Sequence, residues 1–197
     1  MNQSGKPRRI VIGISGASGA IYGVRLLELL KDTDIEMHLV ISRAAQITIA
    51  HEIGRKVAEV TALAHVYYGS EDIAAAISSG SFKTLGMIVA PCSMRSLGEI
   101  STSVTTSLLT RAADVVLKER RRLVLLVRET PLHLGHLKSM VSVTEMGAII
   151  SPPVPAFYSR PKTVEDIIDH TLGRAMDLFN IDLGIVKRWK EEDPAAT

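Results

Sequence analysis

Along the first 150 residues, short apolar runs alternate with stretches in which apolar positions recur every three to four residues. The runs Ile10–Ile14, Met37–Ile41, Met87–Ala90, Leu123–Val127 and Ala148–Ile150 are nearly continuous in aliphatic residues, the pattern of strands covered on both faces. Between them, Ala20–Lys31, Ala44–Glu52, Val104–Arg120 and His133–Met140 read as helices. In the first of these, Ala20, Val24, Leu27 and Leu30 form one buried stripe. This alternation predicts an α/β architecture, a three-layer doubly wound parallel sheet. No repeat, low-complexity tract or long linker interrupts it, so residues 1–197 are expected to form one domain with flexible tails at about 1–8 and 190–197.

Sheets of this kind bind ligands outside the carboxyl ends of their strands, so the residues after each apolar run carry the chemistry. The stretch Arg9–Val24 (RIVIGISGASGAIYGV) is the most informative. A strand breaks into Ser15-Gly16-Ala17-Ser18-Gly19 and becomes a helix, turning backbone N–H groups and a positive dipole end toward a crevice. Small side chains let an anion approach that backbone. The spacing is not GxGxxG followed by an acid at the next strand end, which speaks against a nicotinamide cofactor. Ser42 and Arg43 follow the second run, and Pro91-Cys92-Ser93-Met94-Arg95-Ser96 follows Met87–Ala90. Arg128-Glu129-Thr130-Pro131 follows Leu123–Val127. Ser42 and Ser93 also read as simple helix N-caps. Together the four strand ends offer hydroxyls, backbone donors, cations and one acid to a single crevice, which suits a phosphorylated planar ligand.

Further along, Arg111, Asp114 and Lys118 share a helix face opposite Leu108, Ala112, Val115 and Val116. Two readings stand: a pair of cations clamping a phosphate, or a solvated face in which Asp114 bridges its neighbours. Thr163 and Asp166 look like a capping pair opening a C-terminal helix with the stripe Val164, Ile167, Ile168, Ala175, Leu178 and Phe179. Arg174 lies at the edge of that stripe and either snorkels to water or binds an anion. The proline-rich loop Ser151–Tyr158 ends in Phe157 and Tyr158, and Trp189 sits in a polar tail where an indole docks against its own chain or another subunit. Glu129 at a crevice mouth can act as a general acid/base or pair with Arg128, and Glu52 ends the second helix. Six histidines show no metal-ligand spacing, and no GxSxG elbow occurs.

Composition narrows the partners. A net charge of +2 argues against nucleic acid or an anionic membrane as the main partner. The single cysteine, Cys92, excludes an internal disulfide and fits a reducing compartment. No signal segment precedes the first strand and no apolar stretch is long enough to span a bilayer, so a cytoplasmic location is expected.

The segments Gly16-Ala17-Ser18-Gly19, Ser78-Ser79-Gly80-Ser81-Phe82, Pro91-Cys92-Ser93, Arg111–Glu119, Arg128–Leu132 and Pro155-Ala156-Phe157-Tyr158 occur in this order. In them the chain resembles the UbiX-type flavin prenyltransferases, including proteins called B subunits of phenolic acid decarboxylases, from about Arg9 to Trp189. The resemblance implies a flavodoxin-like Rossmann fold, a homododecamer with FMN at subunit contacts, and no metal. It implies transfer of a dimethylallyl group from dimethylallyl phosphate to N5 and C6 of reduced FMN, the prenylated FMN passing to a UbiD-type decarboxylase. By position, Gly16, Ala17, Ser18, Ser42, Ser93, Met94, Arg95, Ser96 and Arg128 would hold FMN, Ser18 near the reacting end. Lys118, Tyr158 and Arg174 would grip the prenyl phosphate, bordered by Arg111 and Glu52. Glu129 would be the acid/base, and Trp189 an aromatic lent by a neighbouring subunit. Val127, Lys138-Ser139 and Ile73 depart from the family pattern, and Ile73 leaves one pocket wall aliphatic. Two other expectations share the flavin site: an FMN-dependent cysteine decarboxylase, whose PASANT-like segment and Met-Asn loop this chain lacks, and a non-catalytic FMN carrier.

Overall fold

The computed structural model describes residues 7–189, and the chain divides into two compact units at Pro152–Pro153. In the first unit, β1 (Arg8–Ile14), β2 (Ile35–Ile41), β3 (Val66–Tyr68), β4 (Gly86–Cys92), β5 (Arg122–Val127) and β6 (Ile149–Ile150) form one parallel sheet. The strand order is β3-β2-β1-β4-β5-β6, so the direction of winding reverses between β1 and β4. The helices are α1 (Ala20–Leu30), α2 (Arg43–Ile53), α3 (Val57–Thr61), α4 (Met94–Ser101), α5 (Leu108–Lys118) and α6 (Leu134–Glu145).

Alternation along β1 separates the two outer layers. Ile14 packs on one face against Gly23 of α1, whereas Gly13 lies under Leu109 of α5 and Met87 on the other. A Cβ at Gly23 would come within 2.4 Å of the Ala90 carbonyl oxygen, so α1 lies against the sheet only because that position has no side chain. On the opposite face, Val11, Val89, Leu97, Leu109, Ala112, Val116, Leu125 and Val143 form one buried core joining α4, α5 and α6 to the strands. The doubly wound architecture expected from the alternating pattern is therefore present, with four of the five apolar runs inside strands and the fifth, Ala148–Ile150, reaching one residue before β6.

The differences from the expected elements have local causes. Strand β3 has only three residues, none fully buried, and offers no apolar run to read. It is held by polar contacts instead: Tyr68 Oη lies 2.9 Å from His38 Nδ1, and His38 Nε2 lies 2.7 Å from Glu36, which also accepts from Arg9. The helix expected from Val104 begins only at Leu108, because Ser107 stops it: its side chain accepts from Thr110 N while Thr110 Oγ1 accepts from Ser107 N. The separate helix α4 starts at the Ser93 cap. The tails expected at about 1–8 and 190–197 lie outside the described residues apart from Pro7 and Arg8, and Arg8 opens β1.

The second unit holds a 3-10 turn, Phe157–Ser159, and α7 (Val164–Asp177). Thr163 and Asp166 form the expected capping box, Thr163 Oγ1 accepting from Asp166 N and Asp166 Oδ2 accepting from Thr163 N, both at 3.1 Å. The buried stripe is Ile168, Leu172, Ala175 and Met176, continued by Phe179. Val164, expected within it, is 66% exposed, since a first-turn side chain leans back past the helix start.

One hydroxyl joins the strand ends at the reversal point. Ser15, 1% exposed, donates through Oγ to the Pro91 carbonyl at 2.7 Å and accepts from Ser93 N at 2.7 Å. Ser15→Ala leaves the Ser93 N–H without its acceptor, while the Pro91 carbonyl keeps the Ser15 backbone N–H at 3.2 Å, and is expected to lower unfolding stability by about 1–3 kcal/mol, read from the urea midpoint.

Candidate active site

Three helix starts meet at the carboxyl edge of the sheet. Ser42 caps α2 by accepting from Ala45 N (3.1 Å), Ser93 caps α4 by accepting from Ser96 N (3.2 Å), and Ser107 caps α5. All three caps line one cavity of about 250 Å³, with Gly16, Ala44, Ser70, Ser96, Thr106 and Leu109 among its walls. The two readings of Ser42 and Ser93, helix cap and crevice wall, are thus both realised. Each start presents unsatisfied N–H groups and a positive dipole end, so the cavity favours an anion without any metal. Gly16 lets α2 close against the end of β1: a Cβ there would lie 2.4 Å from Ala44 Cβ.

The charged side chains at the rim are paired. Arg43 lies 3.5 Å from Glu71, and Arg95 lies 2.9 Å from Glu99, which also accepts from Thr106 Oγ1 at 2.7 Å. Burial pushes the Glu99 carboxyl up, but hydrogen bonds from Thr106, Arg95 and Thr110 outweigh it and hold the group below the usual carboxylate range. Of the residues expected at a flavin, Gly16, Ser42, Ser93, Arg95 and Ser96 line this cavity. Met94 packs instead against the α4–α6 core.

Ala17, Ser18, Glu52 and Arg128 belong to the start of α1. Gly19, with φ +98°, stands at the N-cap position and has no side chain to cap the helix. Glu52 at the end of α2 takes its place: Oε2 accepts from Gly19 N at 2.8 Å and Ala20 N at 3.0 Å. The anion that this helix start favours is therefore one of the protein's own carboxylates, and Ser18 hydrogen-bonds to it as well. Burial raises the Glu52 carboxyl, yet the Ser18, Gly19 and Ala20 hydrogen bonds and the Arg128 charge bring it below its ordinary value. Arg128 also bears on the half-buried Tyr22, whose phenol is raised mainly by burial.

Glu129, next to Arg128, is exposed and accepts from Thr130 N at 2.9 Å. Cys92 is fully buried, and desolvation pushes its thiol up to about 12, so it supplies no thiolate. On α5, Leu108, Ala112, Val115 and Val116 are buried as expected. Arg111 pairs with Asp114 at 2.8 Å, but Lys118 turns to Glu119 at 2.7 Å, so the two cations do not share an anion site within the chain. Lys118 also sits at the opposite end of α5 from the cavity, about 14 Å along the axis from Leu109.

In the second unit, Tyr158 Oη lies 3.3 Å from His170 Nε2, and the Trp189 ring meets Tyr158 edge-on at 5.5 Å. Trp189 is 68% exposed, so its indole rests on its own chain through one aromatic contact and leaves most of its surface open. Arg174, 53% exposed at its side chain, reaches the surface and pairs there with Asp177, which also takes a two-pronged contact from Arg188 at 2.9 and 3.0 Å.

Sequence reading missed Ser70, Glu71, Glu99, Thr106 and Ser107 as cavity residues. Ser107 carried a signal, a hydroxyl just before an apolar periodic stretch, which disappeared once the helix was extended back to Val104. Ser70 and Glu71 follow a strand with no apolar run and carried none.

A parallel sheet with helix starts gathered at its reversal point defines a nucleotide- or flavin-binding α/β protein. Comparison with known proteins places it more closely. Residues 1–176 match the family model described as Flavoprotein. The chain is 59% identical over 186 residues to the flavin prenyltransferase UbiX of Escherichia coli K12, covering 93% of this chain and 98% of that protein. The structure of AnUbiX (PadA1) in complex with FMN and dimethylallyl pyrophosphate superposes with a TM-score of 0.92 at 48% identity, covering 93% of this chain and 98% of that one. The dodecameric FMN-dependent Ubix-like decarboxylase of Escherichia coli O157:H7 superposes with a TM-score of 0.90 at 46% identity, covering 92% and 98%. The chain belongs to the Flavoprotein family and, within it, to the UbiX flavin prenyltransferases.

Glu52→Gln removes the negative charge at the start of α1 and is expected to cost about 0.5 kcal/mol at pH 7, since solvent screens this exposed carboxylate. Because the folded-state pKa lies below the ordinary 4.5, this contribution is complete above that value and is lost as pH falls through the lowered one. Paired urea melts of wild type and variant should therefore differ at pH 7 and converge in acid.

Proposed function

We propose that this protein transfers a dimethylallyl group from dimethylallyl phosphate to reduced FMN, and that the prenylated FMN serves a UbiD-type decarboxylase. The observation that carries the reading is the cavity into which the starts of α2, α4 and α5 open, in a chain 59% identical to a flavin prenyltransferase. A flavin phosphate fits it, since hydroxyls of Ser42, Ser93 and Ser96 and three helix dipoles together suit a bulky anion. Arg95 at the rim, with Ala17, Ser18, Met94 and Arg128, would hold and orient the remainder. Reduced FMN, when bound, supplies N5 and C6 as the atoms that accept the C5 unit, while the ester C–O bond breaks with its electron pair left on phosphate.

The chain's own residues then have separable tasks. Lys118, Tyr158 and Arg174 hold the ester phosphate and offset its growing charge, with Arg111 and Glu52 at the border of that site. Aromatic faces of Tyr158 and Trp189 stabilise the allylic cation and keep water from it. Glu129 takes up the proton displaced from the acceptor and assists phosphate departure. Lys118 and the cavity lie at opposite ends of α5, which supports a site completed between copies: one chain's lysine serves another chain's flavin. A homododecamer with FMN at subunit contacts provides that arrangement. We read the two units as one flavoprotein domain, since the family match runs through their boundary. A cytoplasmic setting agrees with a single buried thiol, and among the described residues no helix is long and apolar enough to cross a membrane.

Anaerobic incubation with reduced FMN and dimethylallyl phosphate is expected to add one C5H8 unit to the flavin mass. An unchanged mass would refute prenyl transfer. Glu129→Gln should bind FMN normally and slow product formation roughly 100-fold or more, as loss of a general acid/base does. Arg174→Ala should raise the half-saturating concentration of dimethylallyl phosphate. An unaltered value would confine Arg174 to its pairing with Asp177.

A further inference from the structure

The segment Ser78-Ser79-Gly80-Ser81-Phe82 takes no part in the cavity, yet it is anchored with care. Arg121, only 12% exposed at its side chain, donates to the Phe82 carbonyl at 2.6 Å and also to the Gly80 carbonyl. This brings the segment against the C-terminal end of α5. The same guanidinium lies 3.7 Å from Glu119 Oε2, and the other carboxylate oxygen, Oε1, accepts from Lys118 Nζ at 2.7 Å. Gly80 lies directly beneath this pair. A Cβ there would lie 2.1 Å from Glu119 Oε1 and 2.9 Å from Lys118 Nζ. Its φ is not positive, so the position needs glycine for space and not for backbone conformation.

Lysine is a point charge on a flexible four-carbon stem, and gripping an anion with it costs rotamer freedom. A carboxylate that already holds the ammonium removes part of that cost before the ligand arrives. An ammonium has three N–H donors; one is directed to Glu119, and two remain for phosphate oxygens. We propose that Glu119 is a positioning residue that presents the Lys118 ammonium to the prenyl phosphate, held in place by Arg121 and by the shelf at Gly80. The proposal rests on the reading of Lys118 as a phosphate grip. It also gives the Ser78–Phe82 segment a purpose: a floor with no side chain under the working end of α5.

The decisive variant is Gly80→Ala, whose methyl group displaces the end of a flexible side chain and alters no charge. It is expected to raise the KM for dimethylallyl phosphate roughly three- to tenfold, with kcat changed less than about twofold and FMN binding unchanged. Glu119→Gln should shift KM in the same direction, and Glu119→Asp less. A KM that is unchanged or lower in both Gly80→Ala and Glu119→Gln overturns the proposal; a lower value would mean that Glu119 opposes the phosphate. Lys118→Met, assayed alongside, separates the two levels. If it raises KM while the other variants do not, only the positioning role fails. If it leaves KM unchanged, the phosphate-gripping role of Lys118 fails and the proposal with it.

Discussion

The site depends on the close approach of two strand ends, β1 and β4, where the order of the sheet reverses. Helices leave the sheet in opposite directions on either side of that point, and the gap between them is where helix starts can gather. Ser15 holds the gap at a fixed width by satisfying one backbone group of Pro91 and one of Ser93 with a single hydroxyl. Residue 93 is also the cap of α4, so the same contact sets the angle at which that helix opens into the cavity. Gly13 and Gly23 serve the same end from either face, letting Leu109 and α1 close down on the strands.

Charge is distributed in a way that separates two kinds of helix start. At α1 the demand for an anion is met internally, by Glu52 reaching across from α2. At α2, α4 and α5 the caps are neutral serines, which satisfy one N–H each and leave the dipoles uncompensated. Had acidic caps stood at those positions, a phosphate would be repelled. The cations at the rim, Arg43 and Arg95, are tied to Glu71 and Glu99, so field and backbone donors carry more of the anion preference than free side-chain charge does.

Much of this was legible in advance. The strands β1, β2, β4 and β5 stood out because burial on both faces leaves little freedom in residue type, and the half-buried β6 because its two isoleucines continue the same aliphatic pattern. The small-residue turn after β1 was also legible, as were Ser42 and Ser93, because hydroxyls before helices follow from cap chemistry. What escaped had no local signature. Strand β3 is held by a histidine, a tyrosine, a glutamate and an arginine in place of an apolar run. Ser107 vanished inside an overlong helix, and the tie between Arg174 and Asp177 was hidden because Arg174 lay beside apolar positions that suggested a different neighbour.

The amino-acid sequence by itself determined the periodicities, and with them the layered α/β plan, the helix caps and the family to which the chain belongs, since each of these is set by residues within a few positions of one another. Only the tertiary structure decided which helix starts share a cavity, which carboxylate closes α1, and that Lys118 and the cavity stand at opposite ends of one helix. Those relations join residues as far apart as Ser15 and Ser93, 78 positions along the chain. Strand order brings such residues together, and strand order is a product of global packing that no local pattern records.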